Sequence, residues 1–445
     1  MRFFPNVLWL AAVGLAFAGG AWWQHRNLPV ADTTGRAVIA SGTTPGAATL
    51  PASANHAMPT PAAIESIRDF LLRYQGQGPL GAEKMKEAMR EVLTESDPVK
   101  SSLMFAMILE ELTPENAPAV LGEIKTRMGG FEGFRYMGLL AYKWGAVDGQ
   151  NAMAEAAKQE GPLKMIGSGA TLAGWASKDP AAAMQWVAEQ KTENEWEKGA
   201  MIRGLVSGLA RSDVDAAVNY VSQLKDERER SRMSQVITEE KIKLGVDAAA
   251  QWAISLSDPN MKKGAFEGVT EQLYRTDPQK AAEFVKANAG QEFSNVAAGE
   301  LARRLAEKNP QQGLGFAAEL PEGPGRSDAY RNAFREWAVQ DPEAASRQLN
   351  DLPKGGDRDA AASGLARSVA RDDPEGATAW AESISDAAMR QESLTSVLRT
   401  RYRRDPDAAL SYMTAKGWTE AQQNEVKIEK EEDGGFRPFG PRGRR

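Results

Sequence analysis

The chain has 445 residues, a formal net charge of -6, no cysteine and only two histidines, His25 and His56. The lack of cysteine excludes disulfide bonds, thiolate nucleophiles and Cys-ligated metals. Because no histidine follows His56, the rest of the chain lacks an imidazole for a Ser-His triad, a zinc site or general base catalysis near neutral pH. The negative charge argues against a nucleic-acid partner, since phosphate binding normally requires a basic surface. We therefore expect a non-enzyme that uses no cofactor or metal.

The first 26 residues have the composition of a targeting segment. An apolar run extends from Phe3 to Trp23, with a basic residue on either side. A helix of about 20 residues spans a bilayer core, which predicts a membrane anchor over residues 3–23. The alternative is a signal peptide cleaved after the small-x-small pattern at residues 16–18. Because the apolar run continues past Ala18, the anchor is favoured. The protein is accordingly predicted to be a single-pass inner-membrane protein with a periplasmic body, or a periplasmic or exported one if cleaved.

Composition divides the rest of the chain into three parts. Residues 27–61 are rich in Ala, Thr, Ser, Gly and Pro, and we expect a disordered linker there. Helical patterning then runs over residues 62–421, with the most regular part at about 165–420. Residues 422–445 are charged and finish basic, so a disordered tail is predicted.

One pattern recurs eight times in the helical part, and its first residues are Asp179, Asp213, Gly245, Asp277, Asn309, Asp341, Asp373 and Asp405. The first interval is 34 residues and the following six are 32. A fixed period of this length is typical of stacked helical hairpins. We therefore predict an all-α fold, an α-solenoid of helical hairpins with a 32-residue period. No run alternates β-branched and polar residues in the way that strands do.

The first residue of each copy is predicted to cap the second helix of a hairpin. Asp and Asn side chains accept hydrogen bonds from the free amides of a helix start, and proline is tolerated at the first helical position. Six of the eight copies have proline there. The predicted caps are Asp179, Asp213, Asp277, Asn309, Asp341, Asp373 and Asp405.

Each copy also carries a small residue four positions after its start and, in seven copies, an aromatic residue three positions further on. Both positions are predicted to lie on one contact stripe of the second helix. The aromatic residues are Trp186, Tyr220, Trp252, Phe284, Phe316, Trp380 and Tyr412. The packing interpretation is favoured over a stacking platform for sugars or bases. In the copy that has Gln348 instead, Leu349 is expected to fill the place.

In the last six copies, the first helix of the hairpin presents a charged position six residues before the start. It carries Glu239 and Glu271 and then four arginines, which we call the arginine ladder: Arg303, Arg335, Arg367 and Arg399. This position points about 130° away from the apolar face of its helix. Arginine recognises carboxylates and phosphates in a bidentate manner, so the ladder is a candidate binding surface for an acidic protein segment or an anionic polymer. The alternative is a solvated stripe of salt bridges between neighbouring repeats.

The unit Trp175-Ala176-Ser177-Lys178-Asp179-Pro180-Ala181-Ala182-Ala183-Met184-Gln185-Trp186, repeated with substitutions over residues 140–420, resembles uncharacterised exported bacterial proteins with tandem repeats of this kind. That resemblance implies a helical repeat and brings no assigned activity. More broadly the hairpins look like the tetratricopeptide and HEAT class, whose members are usually interaction scaffolds.

We accordingly expect a non-catalytic protein-binding scaffold of the cell envelope. The alternatives are an enzyme of the α/α-toroid type, or a binding protein, acting on an envelope polysaccharide, because carboxylate chemistry needs no histidine. A purely structural spacer is a third interpretation.

Overall fold

The computed structural model describes residues 61–74, 79–127, 130–191 and 194–427, and within these ranges it contains 23 α-helices, one short 3-10 helix and no β-strand. The predicted all-α fold is therefore confirmed. The predicted anchor or signal peptide lies outside the described residues, as does the linker up to residue 60. In the described part, no helix combines the length and the apolar character that crossing a membrane requires.

The chain divides into two compact units, and the first comprises the residues up to Ala217. Its helices are α1 Pro61–Tyr74, α2 Ala82–Thr94, α3 Pro98–Glu110, α4 Ala117–Arg127, α5 Gly130–Val147, α6 Gly149–Ala157, α7 Gly161–Ala176, α8 Pro180–Glu189 and α9 Glu195–Ser212, with α10 Val214–Ser222 crossing the boundary. In this unit α7 packs against both α5 and α9. Its main core includes Phe105, whose ring meets that of Tyr136 edge to face with centroids 4.6 Å apart.

The second unit begins at Val218. Its helices are α11 Glu227–Ile242, α12 Val246–Ser255, α13 Pro259–Thr276, α14 Pro278–Ala287, α15 Asn295–Lys308, α16 Pro310–Glu319, α17 Pro324–Gln340, α18 Pro342–Asp351, α19 Gly356–Val369, α20 Pro374–Glu382, α21 Ala387–Tyr402, α22 Pro406–Ala415 and α23 Glu420–Lys427. The odd-numbered helices from α11 to α21 pack against one another in chain order, and each from α11 to α21 also contacts the short helix that follows it.

The last helix changes the predicted end of the folded part. A disordered tail was expected from residue 422, whereas α23 continues to Lys427. Val426 is 1% exposed and packs with Leu398 and Met413. One apolar side chain in an otherwise polar sequence is enough to anchor this turn of helix, and composition alone does not reveal it. The remaining residues, 428–445, lie outside the described part.

Helix starts in both units use aspartate or asparagine side chains. Asp179 accepts a hydrogen bond from the Ala182 amide at 3.1 Å, and Asp277 accepts from two amides at 3.0 and 3.2 Å. Each of the remaining predicted caps also accepts at least one backbone amide: Asp213, Asn309, Asp341, Asp373 and Asp405. Gly245 directly precedes α12 and has no side chain to cap it. Its φ of 140° is a backbone conformation that residues other than glycine rarely adopt.

Burial in the short second helices is deepest at two positions four residues apart. The small residue at the fourth position is fully buried in every copy, as in Ala281 and Ala345. The eighth position is also buried in seven of the eight copies, as in Val285 and Leu349, each 0% exposed, whereas Val187 is half-buried. Four residues turn a helix by about 400°, so these side chains differ by only about 40° around the axis. The seventh position lies at the edge of this stripe, which explains why most of its aromatic rings are half-buried.

The long helices approach each other closely through glycines. A Cβ added at Gly364 of α19 would overlap the Arg331 carbonyl oxygen of α17, and one at Gly264 of α13 would overlap the Ser231 carbonyl oxygen of α11. Gly174 of α7 faces the Tyr142 carbonyl oxygen of α5 in the same manner. Glycine is needed at these crossings because no side chain fits between the two backbones.

Candidate functional site

The charged position predicted from the sequence falls on six long helices of the second unit. We define the charged face as Glu239 on α11, Glu271 on α13 and the arginine ladder on α15, α17, α19 and α21. Because these helices pack side by side, the face changes from acidic to basic along their order. The structure therefore places the four arginines on successive neighbouring helices.

Arg303, the first arginine of the ladder, is held by several carboxylates. Its guanidinium donates to both oxygens of Glu300, at 2.6 and 2.9 Å. It also lies 3.4 Å from Glu307 and 3.4 Å from Glu336 of α17. The hydrogen bond to Glu300 raises the pKa of Arg303, against the opposing effect of burial. Burial opposes the negative charge of Glu300, but Arg303 and Arg304 outweigh it and lower the pKa of that carboxyl.

Arg367 and Arg399 each donate to an acceptor from a later part of the unit. Arg367 Nη2 donates to Glu392 Oε1 of α21 at 2.7 Å, and Arg399 Nη2 donates to the Glu425 carbonyl oxygen of α23 at 2.7 Å. Both side chains are half-buried. These two arginines therefore join neighbouring helices, Arg367 through a salt bridge and Arg399 through a backbone carbonyl.

Arg335 differs from the other three. Its side chain is exposed, and it makes no hydrogen bond or ion pair with any residue in the described ranges. The pKa of Arg335 is lowered, first by partial burial of its charge and then by the nearby charges of Arg303 and Arg367. It nevertheless stays charged, because arginine is not deprotonated in proteins. Within the described ranges, the ladder thus contains one arginine that forms no ion pair with an acidic side chain.

The helix turn below Arg335 holds a further ion pair. Arg331 Nη1 donates to Asp328 Oδ1 at 2.6 Å. Burial raises the pKa of Asp328, Arg331 opposes this shift, and Glu392 adds to it. The Nε atoms of Arg331, Arg367 and Arg399 are buried and have no hydrogen-bond partner in the described part of the chain. Three buried N–H donors in this region are therefore unsatisfied.

The acidic end of the charged face is largely paired. Glu271 forms ion pairs with Arg275 at 2.9 Å and with Arg304 at 2.8 Å. One turn earlier, Glu267 accepts from Gln235 Nε2 at 3.1 Å, while its other oxygen is buried without a partner. Burial raises the pKa of Glu267, although Lys263 and the Gln235 bond act in the opposite direction.

The predicted aromatic residues lie against the core rather than in open solvent. Phe316 is buried and the other six, Trp186, Tyr220, Trp252, Phe284, Trp380 and Tyr412, are half-buried. Phe284 stacks on Phe266 with ring centroids 4.5 Å apart. Trp196, outside this series, is 60% exposed. Burial raises the pKa of Tyr220, and burial together with Glu382 raises that of Tyr412.

A groove of about 480 Å³ lies between α17–α18 and α19–α20. The residues that line it include Val339, which is 70% exposed, Trp380, Glu343 and Asp372. This groove could not be predicted from the repeat, because its lining residues come from different positions of two copies. Among the described residues, no group of three potential ligand side chains could hold a metal ion.

Comparison with known proteins identified no matching family model, no matching curated protein and no matching solved structure.

Proposed function

We propose that the chain is a non-catalytic scaffold of the cell envelope, a solenoid of helical hairpins with a 32-residue period that binds another protein through its charged face. The supporting observation is the packing of the odd-numbered helices of the second unit, which gathers one side chain from each of six helices into a surface with two signs of charge. Solenoids commonly use such extended surfaces for partner binding. The N-terminal sequence supports a location at the inner membrane or in the periplasm.

Charge complementarity is the physical basis of this binding. A partner with acidic side chains would meet Arg335 and the edges of its neighbours, and complementary charge both orients an encounter and fixes its register. The ion pairs of Arg303 and Arg367 hold the surrounding side chains in place, which lowers the entropy lost when a partner orders them.

An affinity purification from gently solubilised cell envelopes tests the proposal. The tagged chain is compared with a ladder variant in which Arg303, Arg335, Arg367 and Arg399 are changed to alanine. A matched control changes four exposed cations outside the charged face to alanine: Lys225, Lys280, Arg347 and Arg371. Circular dichroism verifies that both variants are folded.

A stoichiometric protein that is retained by the control and lost by the ladder variant is the expected result. If the folded ladder variant still retains the protein, another surface binds it. If no protein is retained by the unmodified chain, the scaffold proposal is wrong.

The groove beside Trp380 favours one alternative, a polysaccharide-binding role. An indole face can stack on a sugar ring, while carboxylates such as Asp372 accept hydrogen bonds from its hydroxyls. Isothermal titration with envelope polysaccharide fragments distinguishes the two functions. Heat of binding that disappears in Trp380→Ala but persists in the ladder variant would establish the polysaccharide function.

A further inference from the structure

Arg335 combines three features that no other arginine of the ladder has together. It is exposed, it has no ion-pair partner in the described part of the chain, and it lies between two arginines that each bind carboxylates of their own. The adjacent Nε atoms of Arg331 and Arg367 also lack acceptors. Since buried donors are nearly always paired in native proteins, this region is short of acceptor oxygens.

We propose that Arg335 anchors a single carboxylate, contributed by an aspartate or glutamate side chain of an acidic partner segment. This inference rests on the proposed function and specifies the residue and the chemical group through which it operates. Arg303, Arg367 and Arg399 then serve to position the helices rather than to bind the partner directly.

Charge counting favours one carboxylate over an anionic polymer. Around Arg335, Arg303 is paired with Glu300 and Glu336, and Arg367 is paired with Glu392. A chain of closely spaced phosphates or sulfates would meet these glutamates as well as Arg335 and would be repelled by them. A single carboxylate meets only the unpaired guanidinium, whose planar fork can donate two parallel N–H bonds to its two oxygens.

A carboxylate at this position also relieves an unfavourable arrangement. Burial lowers the pKa of Arg335 most, the like charges of Arg303 and Arg367 lower it further, and Glu300 and Glu336 act in the opposite direction. An anion beside Arg335 offsets that repulsion. Because the side chain is exposed, the carboxylate can reach it without displacing any existing ion pair.

Fluorescence anisotropy at low ionic strength tests the site. The probe is a fluorescein-labelled, amidated hexapeptide of glycine and serine that carries a single glutamate, and the same peptide with glutamine in its place is the uncharged reference. Charge-assisted bidentate bonds are among the strong ones, so Arg335→Gln should weaken binding of the glutamate peptide by about tenfold or more. Arg335→Lys keeps the charge but loses the planar guanidinium fork. Its affinity should lie between those of the unmodified chain and Arg335→Gln. Arg347→Gln, the same change at an exposed arginine of α18, should alter the affinity less than about twofold.

Two results would overturn the proposal. Equal weakening by Arg335→Gln and Arg347→Gln would mean that the probe senses only overall charge. Stronger competition by tripolyphosphate than by the unlabelled glutamate peptide would identify a polyanion surface instead of a carboxylate site.

The envelope purification separates this inference from the proposed function. If the ladder variant loses the partner while Arg335→Gln retains it, the scaffold function stands and the single-carboxylate site is wrong. If the single substitution Arg335→Gln is enough to lose the partner, the scaffold function and the single-carboxylate site are both supported. If neither variant loses it, the charged face is not the binding surface, and the proposed function fails in its present form.

Discussion

Replacing Gly364 by alanine should separate the two long helices that cross at this residue. Gly364 lies in the middle of α19, and an added Cβ would overlap the carbonyl group of Arg331 in α17. The obstructing atoms belong to the backbone, so no side-chain rotation can relieve the overlap, and one helix must shift. The expected result is a loss of stability for the second unit.

The size of the effect can be isolated with a second glycine. Gly315 lies in the middle of α16 and is exposed, and an added Cβ there has no neighbour within 4 Å. Alanine favours a helix over glycine by roughly 0.5–1 kcal/mol, so Gly315→Ala should stabilise the protein by that amount. The same gain applies at Gly364, where overpacking costs about 1–3 kcal/mol. The difference between the two variants should therefore equal the packing cost alone.

Urea unfolding followed by far-UV circular dichroism provides the measurement. Gly364→Ala should unfold at a lower urea concentration than the unmodified chain, and Gly315→Ala at a higher one. If Gly364→Ala is as stable as Gly315→Ala, the close backbone approach at this crossing is wrong.

Three further changes probe caps, core and burial. Asp277→Ala removes the side chain that accepts the Gln279 and Lys280 amides and should cost about 1 kcal/mol, whereas Asp277→Asn should cost a few tenths. Phe266→Ala, at a position 0% exposed, should cost about 3–5 kcal/mol. Because burial raises the pKa of Glu267, the wild type loses stability as pH rises from the ordinary glutamate pKa through the raised one. Glu267→Gln should therefore be more stable than the wild type at neutral pH, with the difference disappearing near pH ~4. Urea unfolding of each variant beside the unmodified chain checks these predictions, and for Glu267→Gln it is repeated at neutral pH and near pH ~4.

The helix starts could be predicted from the sequence because capping is a local interaction. An aspartate accepts amides only two or three residues away, so the Asp-Pro pairs marked the beginning of helices such as α14 and α18 without any knowledge of packing. The helical class follows for the same reason. Long-range contacts are a different matter, since they depend on which helices become neighbours.

The glycine crossings show why packing was harder to predict. Gly264, Gly299 and Gly364 lie 13, 10 and 9 residues before the start of their copies. All three face a backbone or side chain of a neighbouring long helix, but they share no position in the repeat. Aligning the copies on the aspartate therefore hides them. The position of closest approach therefore differs among these three crossings, although Gly204 occupies the same position as Gly364, nine residues before its start.

The carboxylate partners of the arginine ladder could not be predicted from the repeat either. The sequence placed the four arginines on one face, but Glu300, Glu336 and Glu392 occupy three different positions in their copies. Only the packed helices bring Glu336 to Arg303 and Glu392 to Arg367. Which arginine remains unpaired is consequently a property of the three-dimensional arrangement, and periodicity could not have identified Arg335.

Stability and the proposed binding should depend on separate residues in this arrangement. Exposed ion pairs contribute little to stability, about 0–1 kcal/mol each, whereas the glycine crossings and buried residues such as Phe266 contribute several times more. Arg335 forms no ion pair within the described part of the chain, so its removal should leave the free energy of unfolding nearly unchanged. A loss of binding in Arg335→Gln can then be attributed to the missing guanidinium, because the surrounding helices are held by contacts that the substitution does not touch.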